Sequence, residues 1–175
     1  DWEDVLVLTL GLLRSEPRAL AHVHQQYRFF TVDEYQDISP LQHALLDVWL
    51  GDRSELCVVG DPNQTIYSFT GASPDFLVNF RNEFKDASHI ELVNCYRCAE
   101  PIVATANAVI AQSNTPASLQ LRAVRSGGVK PVVQSYDDDV EEATSVANAI
   151  ADIIDKGTSA KDFAVLFRVN AQSAE

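Results

Sequence analysis

The sequence predicts an α/β fold, with a mostly parallel sheet flanked by helices. Two observations carry this. Short apolar and β-branched runs alternate with longer amphipathic stretches, the pattern that lays helices against a parallel sheet. The two clearest runs, residues 29–32 and 56–59, each end in a polar turn and are separated by a helix with strong boundary signals.

Taken in order, Asp1 is placed to cap a helix over residues 1–14, and Pro17 to start a shorter one. Phe29-Phe30-Thr31-Val32 reads as a buried strand. Ser39-Pro40-Leu41-Gln42 is a capping box with Pro at the first helical position. The helix it opens carries Leu41, Leu45, Val48 and Trp49 on one face, and Gly51 is placed to end it. Residues 56–59 form a second strand. Ser73-Pro74 starts a helix with Phe76, Leu77, Phe80 and Phe84 at helical spacing. Residues 89–93 are expected to be a strand, 101–111 a helix, and 112–130 a long polar loop. A strand over 131–135, an amphipathic helix over 137–156 closed by Gly157, and a strand over 163–167 complete the chain. The apolar face of the last helix is Val140, Ala143, Ala147, Ile150 and Ile154.

Composition is that of a globular chain: 46% hydrophobic and 22% charged over 175 residues. No apolar run reaches the ~18–20 residues of a membrane span, so no membrane partner is expected. There is no Met, and an opening of Asp1-Trp2-Glu3-Asp4 reads as cut from a longer chain. Three cysteines cannot all pair with one another, which favours a reducing cytoplasm. Cys95 and Cys98 form a C-x-x-C. No second pair or His ligand completes a zinc set, so they read as flanking a loop. The net charge of −12 disfavours a broad basic footprint on nucleic acid. Any DNA contact must be local, made by stacking and a few placed groups.

Two loops carry the chemistry. The first strand runs into Asp33-Glu34-Tyr35-Gln36-Asp37. In open α/β sheets ligands bind beyond the carboxyl ends of strands. An acid there can hold Mg²⁺ through water, and its neighbour can polarise the attacking water. Asp33 is then the metal residue and Glu34 the general base. A solvated acidic turn before a capped helix fits this segment equally well when it stands alone. Asp37 is either part of the site or a support for the Ser39 cap. The second strand runs into Gly60-Asp61-Pro62-Asn63-Gln64-Thr65-Ile66-Tyr67-Ser68-Phe69-Thr70-Gly71-Ala72. Gln64 has the donors and acceptor to orient water or touch a γ-phosphate. Tyr67 and Phe69 are spaced to form a platform for unpaired bases, although core packing explains the spacing better on its own.

Together the loops resemble those of the UvrD/Rep/PcrA helicases of superfamily 1. Residues 33–37 resemble their D-E-x-Q-D Walker B motif, and residues 60–72 their motif III. Asn94-Cys95-Tyr96-Arg97 is similar to the N-Y-R-S motif, Trp2-Glu3-Asp4-Val5-Leu6 to the helix preceding Walker B, and residues 165–173 to the L-Y-R-x-N-A-Q-S segment. The matches keep family order and span essentially the whole chain.

The resemblance implies a partial RecA-like P-loop NTPase fold. Residues 1–91 would be the later part of motor domain 1A, and residues 92–175 the first part of domain 2A. It implies ATP and Mg²⁺ as cofactors, and single-stranded and duplex DNA as partners. It implies an ATP-dependent DNA helicase acting in repair or recombination and moving 3′ to 5′. Asp33 would hold Mg²⁺, Glu34 would activate water, and Gln64 would sense the γ-phosphate and link it to DNA. Arg97 would be the arginine finger. Tyr67 and Phe69, the latter where Trp is usual, would stack on single-stranded DNA, and Asn170 would contact its backbone. Thr70 stands where the family usually has Arg, so one DNA or interdomain contact is altered.

No G-x-x-x-x-G-K-[ST] occurs, so the phosphate-cradling loop is expected upstream. The chain by itself is expected to be inactive, and to self-associate through exposed sheet edges. Two alternatives are a non-catalytic DNA-binding module with a degenerate motor, and the motor part of a RecB/AddA-like helicase-nuclease.

Overall fold

A computed structural model describes residues 1–112, 119–169 and 172. The chain divides into two compact units, Asp1–Val129 and Lys130–Glu175.

The first unit opens with helices α1 (Trp2–Ser15) and α2 (Pro17–Gln26). Asp1 caps α1 through a reciprocal capping box with Asp4. Strand β1 (Phe30–Val32), helix α3 (Pro40–Leu50) and strand β2 (Leu56–Val58) follow. Ser39 and Gln42 form the expected box at the start of α3, and Gly51 closes it at φ 59°. β1 and β2 are parallel and in register, Phe30 with Leu56 and Val32 with Val58, so β1–α3–β2 is a crossover unit. Leu10 and Leu13 of α1 and Leu45 of α3 form the core. Leu20 and Val23 of α2 and Leu41, Val48 and Trp49 of α3 pack around them. Each fully buried Leu contributes roughly 1.5–3 kcal/mol.

Arg53 ties this layer to the strands. Its guanidinium donates to the carbonyls of Trp49 (2.6 Å) and Leu50 (2.8 Å) at the end of α3, and to Tyr27 (2.8 Å) beyond α2. It also lies 5.9 Å above the Phe30 ring, which stacks on Trp49.

The helix expected from Ser73-Pro74 is broken into two single turns, α4 (Asp75–Val78) and α5 (Phe80–Glu83). Asn79 interrupts it, with its side chain accepting from Asn82 Nδ2 at 3.2 Å in place of helix continuation. The aromatic face survives the break. Phe80 stacks on Phe84, Tyr35 meets Phe80 edge-on, and His43 stacks on Phe76 at 4.2 Å. His43 offers Nδ1 to Asp47 (3.1 Å) and Nε2 to Glu83 (3.6 Å), joining α3 to α5.

A second crossover unit follows: β3 (Asn94–Ala99), α6 (Glu100–Ile110) and β4 (Arg122–Arg125), with β3 and β4 parallel. The strand expected at residues 89–93 therefore begins at Asn94 instead. Its partner, β4, lies inside the segment read as a polar loop. Strand identity depends on a neighbour, and the polar sequence Arg122-Ala123-Val124-Arg125 gives no local sign of one. Asn107 of α6 closes this unit by bonding both the N–H and C=O of Leu121.

The second unit holds α7 (Asp139–Asp155), capped by Asp138 and acidic in its first turn. None of its residues is buried. The runs 131–135 and 163–167 are not strands, because neither has a hydrogen-bonded neighbour among the described residues. Their apolar side chains are open to solvent, Val133 and Leu166 each at 93%.

Replacing Arg53 with Ala removes donors from several carbonyls at helix ends. The expected result is a loss of about 1–3 kcal/mol in urea unfolding. An unchanged midpoint would show that water replaces the guanidinium without cost.

Candidate functional site

Because β1 and β2 run parallel and in register, both leave the sheet at one edge. There β1 continues into Asp33-Glu34 and β2 into residues 59–61. Val59 donates to the Val32 carbonyl and Tyr35 to the Val59 carbonyl, each at 2.9 Å, so the backbones stay paired past the strands.

Gln36 makes the further connection. It is 1% exposed. Its Nε2 donates to Glu34 Oε2 (2.7 Å) and Asp37 Oδ2 (3.4 Å), and its Oε1 accepts from the Asp61 N–H (3.1 Å). One amide thus satisfies groups from both loops. Gly60 lets it approach: a Cβ there would stand 2.5 Å from Gln36 Oε1 and 2.9 Å from Leu77 Cδ2. Beneath it, burial pushes the Tyr35 phenol up to about 12, with the charges of Glu83 and Asp47 adding to the effect.

Glu34 has φ 52° and ψ 40°, and no other non-glycine residue among those described has positive φ. This left-handed conformation costs roughly 1–2 kcal/mol for a residue with a Cβ. It is held by the Gln36 bond to the Glu34 carboxylate and by the Tyr35 backbone bond. Strain of this kind concentrates at functional sites. Asp33 and Glu34 are both exposed. Asp33 Oδ1 accepts from the Glu34 N–H at 2.9 Å. Among the described residues, Asp33, Glu34, Asp37 and Asp61 form no salt bridge. The edge therefore gathers four carboxylates that accept N–H hydrogen bonds and have no cation paired to them among the described residues.

Asp37 does not support the Ser39 cap, which Gln42 completes by itself. Instead its Oδ1 accepts from the Ile66 N–H at 3.2 Å and holds the second loop. In that loop Asp61 accepts from Asn63 N (2.9 Å) and Gln64 Nε2 (2.9 Å). The Gln64 side chain is thereby fixed at the same edge as Glu34. Tyr67 and Phe69 lie further along, with ring centroids 6.1 Å apart and planes tilted by 50°. Phe69 is 82% exposed and Tyr67 49%, so they are not core aromatics. Thr70 donates its hydroxyl to the Tyr67 carbonyl at 2.8 Å and so closes the turn that carries both rings.

Arg97 sits on β3. Among the described residues no hydrogen bond or ion pair joins it to the acidic edge, and its carbonyl accepts from Arg125 Nη1 at 2.8 Å. Asn170 lies outside the described residues.

Residues 1–85 match the UvrD/REP helicase N-terminal domain, and residues 90–175 match the UvrD-like helicase C-terminal domain. The chain belongs to the UvrD/Rep helicase family. It is 44% identical over 176 residues to the ATP-dependent DNA helicase UvrD2 of Mycobacterium tuberculosis, covering 99% of this chain and 25% of that protein. It is 33% identical to the putative ATP-dependent DNA helicase YjcD of Bacillus subtilis, over 98% of this chain and 22% of YjcD. It is also 33% identical to the ATP-dependent DNA helicase PcrA of Leuconostoc citreum, over 99% of this chain and 23% of PcrA. The chain spans about a quarter of the length of these relatives.

Within this UvrD/Rep chain, the residues that composition and motif reading passed over are Gln36, Gly60 and Asp61. The available signal was a neutral amide within a run of acids, flanked by Asp37 and two places from Glu34. Gln36→Ala strands the Asp61 N–H, and Gly60→Ala forces a Cβ into the Gln36 amide. Each is expected to lower stability by about 1–3 kcal/mol in urea unfolding. Wild-type midpoints in both would mean the loops hold together without the amide.

Proposed function

We propose that the chain is the central part of an ATP-driven DNA helicase and translocase, with residues 1–91 ending the first motor domain and residues 92–175 beginning the second. The change from one family match to the other between residues 85 and 90 supports this boundary. The compact units divide elsewhere, at 129/130. The observation that carries the functional reading is the junction of two loops past one parallel-strand edge, with Glu34 and Gln64 held there through Gln36 and Asp61. Ligands of open α/β sheets bind at such edges.

In this reading Asp33 holds Mg²⁺, mostly through water. The all-oxygen donors of the edge, carboxylates with no paired cation among the described residues, suit a hard dication. Mg²⁺ held there would supply positive charge to offset that of the ATP phosphates. Glu34 takes the proton of the attacking water, and its fixed left-handed backbone sets the direction of its carboxylate. Gln64, positioned by Asp61, contacts the γ-phosphate and the attacking water. Since its loop continues into Tyr67 and Phe69, the state of the nucleotide is passed to the aromatic turn. Those rings stack on unpaired bases, which lets a chain of net charge −12 bind DNA without a broad basic face. Arg97 approaches the phosphates from the second domain, and Asn170 contacts the DNA backbone. Cytoplasmic location, 3′ to 5′ movement and a part in repair or recombination belong to the same proposal.

In the full-length protein, Glu34→Gln and Arg97→Ala are each expected to lower DNA-stimulated ATP hydrolysis by about 100-fold or more. Turnover near wild type in both would overturn the assignment. Tyr67→Ala and Phe69→Ala are expected to weaken single-stranded DNA binding by roughly 1–3 kcal/mol each in fluorescence anisotropy. Unaltered affinity would remove the stacking role. The 175-residue chain contains no G-x-x-x-x-G-K-[ST] and is expected to show no saturable micromolar binding of Mg·ATP by calorimetry.

A further inference from the structure

Cys95 and Cys98 have no part in the chemistry above, yet the fold brings them together. β3 pairs Cys95 with Ala123 and Ala99 with Arg125. Four steps along β3 therefore match two along β4, and Tyr96, Arg97 and Cys98 stand opposite Val124 alone. This is a bulge with two extra residues. In a regular strand, residues three apart point to opposite faces and lie roughly 10 Å apart. Here the Cys98 N–H donates to Cys95 Sγ at 3.4 Å. Both cysteines are half-buried and unoxidised, whereas Cys57 is exposed.

We propose that Cys95 and Cys98 are a peroxide-reactive dithiol that closes to an intramolecular disulfide, and that closure resets the bulge carrying Arg97. The Cys98 N–H, opposed by burial and aided by the Arg97 N–H, the Cys98 thiol and the Arg97 charge, lowers the Cys95 pKa. These groups favour thiolate at Cys95, which makes it the attacking sulfur. The thiolate attacks one oxygen of a hydroperoxide. An S–O bond forms, the O–O bond breaks, and the departing oxygen takes up a proton to leave as water or alcohol. Cys95 is then a sulfenic acid. The Cys98 sulfur attacks the Cys95 sulfur. An S–S bond forms, the S–O bond breaks, and hydroxide leaves with the Cys98 proton as water. The two thiols lose two electrons and the peroxide gains them. Closure replaces the N–H···S contact with a bond of fixed dihedral, and Tyr96 and Arg97 lie inside the new ring. The effect on Arg97 rests on its proposed role as arginine finger, whereas the oxidation does not.

Trypsin cleaves after Arg97 and so places the two thiols in separate peptides, residues 86–97 and 98–122. The full-length protein is treated with hydrogen peroxide, alkylated, digested and weighed by mass spectrometry. The expected product is these two peptides joined, two hydrogens lighter than their sum. It should form about tenfold faster or more than any oxidation of Cys57, and dithiothreitol should reverse it. In Cys98→Ser, Cys95 should instead stop as a sulfenic acid trapped by dimedone, with circular dichroism confirming the fold. Separate alkylation of both peptides at a dose that oxidises Cys57 would overturn the proposal, as would a Cys95 in Cys98→Ser no faster than Cys57. ATP hydrolysis should fall as the disulfide forms and recover on reduction. A disulfide that leaves turnover unchanged would overturn the link to Arg97 alone. Absence of turnover before oxidation would count against the motor reading and leave the disulfide result standing.

Discussion

The Gln36 side chain is bonded to groups from two loops that arrive at the sheet edge on different strands. Its amide holds the Glu34 carboxylate on one side and the Asp61 backbone on the other. Water cannot substitute easily, because the residue is 1% exposed and the Asp61 N–H would lose its acceptor. The left-handed Glu34, the glycine at residue 60 and the placement of Gln64 through Asp61 all follow from accommodating this amide. The helix layer built on Leu10, Leu13 and Leu45, and tied down by Arg53, gives the two strands a fixed register. Gln36 converts that register into a fixed relation between the loops.

An arrangement of this kind suits a motor better than a static binding surface. The acids and Gln64 share a loop system with the exposed rings of Tyr67 and Phe69, and between them the Ile66 N–H is held by the Asp37 carboxylate. The carboxylate end of this loop system lies only a few residues from the aromatic end. Thr70, in the position where the family usually has Arg, closes the aromatic turn through the Tyr67 carbonyl. Its contribution here is to the shape of the turn. Arg97 lies on the bulged strand β3, with no hydrogen bond or ion pair to the acidic edge among the described residues.

The sequence made the first half of the fold legible because its signals are local. Asp1, Ser39 with Gln42, and Gly51 mark helix ends through bonds to near neighbours, and Pro17 and Pro40 mark helix starts through their fixed φ. The acidic turn and the polar loop were legible as motifs. What stayed hidden depends on distant partners. β4 is recognisable only once β3 is beside it, and the bulge exists only as a mismatch between the two. Residues 131–135 and 163–167 have strand-like composition but no neighbour among the described residues. The break at Asn79 goes with local bonds, backbone and side chain, between Asn79 and Asn82. Gln36 was visible as a letter in the motif, but its role requires Gly60 and Asp61, some 25 residues away, to be in contact with it.

The most direct test is ATP hydrolysis by the full-length protein carrying Gln36→Ala, with and without single-stranded DNA, under conditions where circular dichroism shows it folded. If the amide couples the two loops, turnover falls and the increase on adding DNA is lost, although Asp33, Glu34, Gln64 and Arg97 are all intact. Wild-type turnover with full DNA stimulation would contradict this account, and would mean that the two loops communicate by a route that does not pass through Gln36.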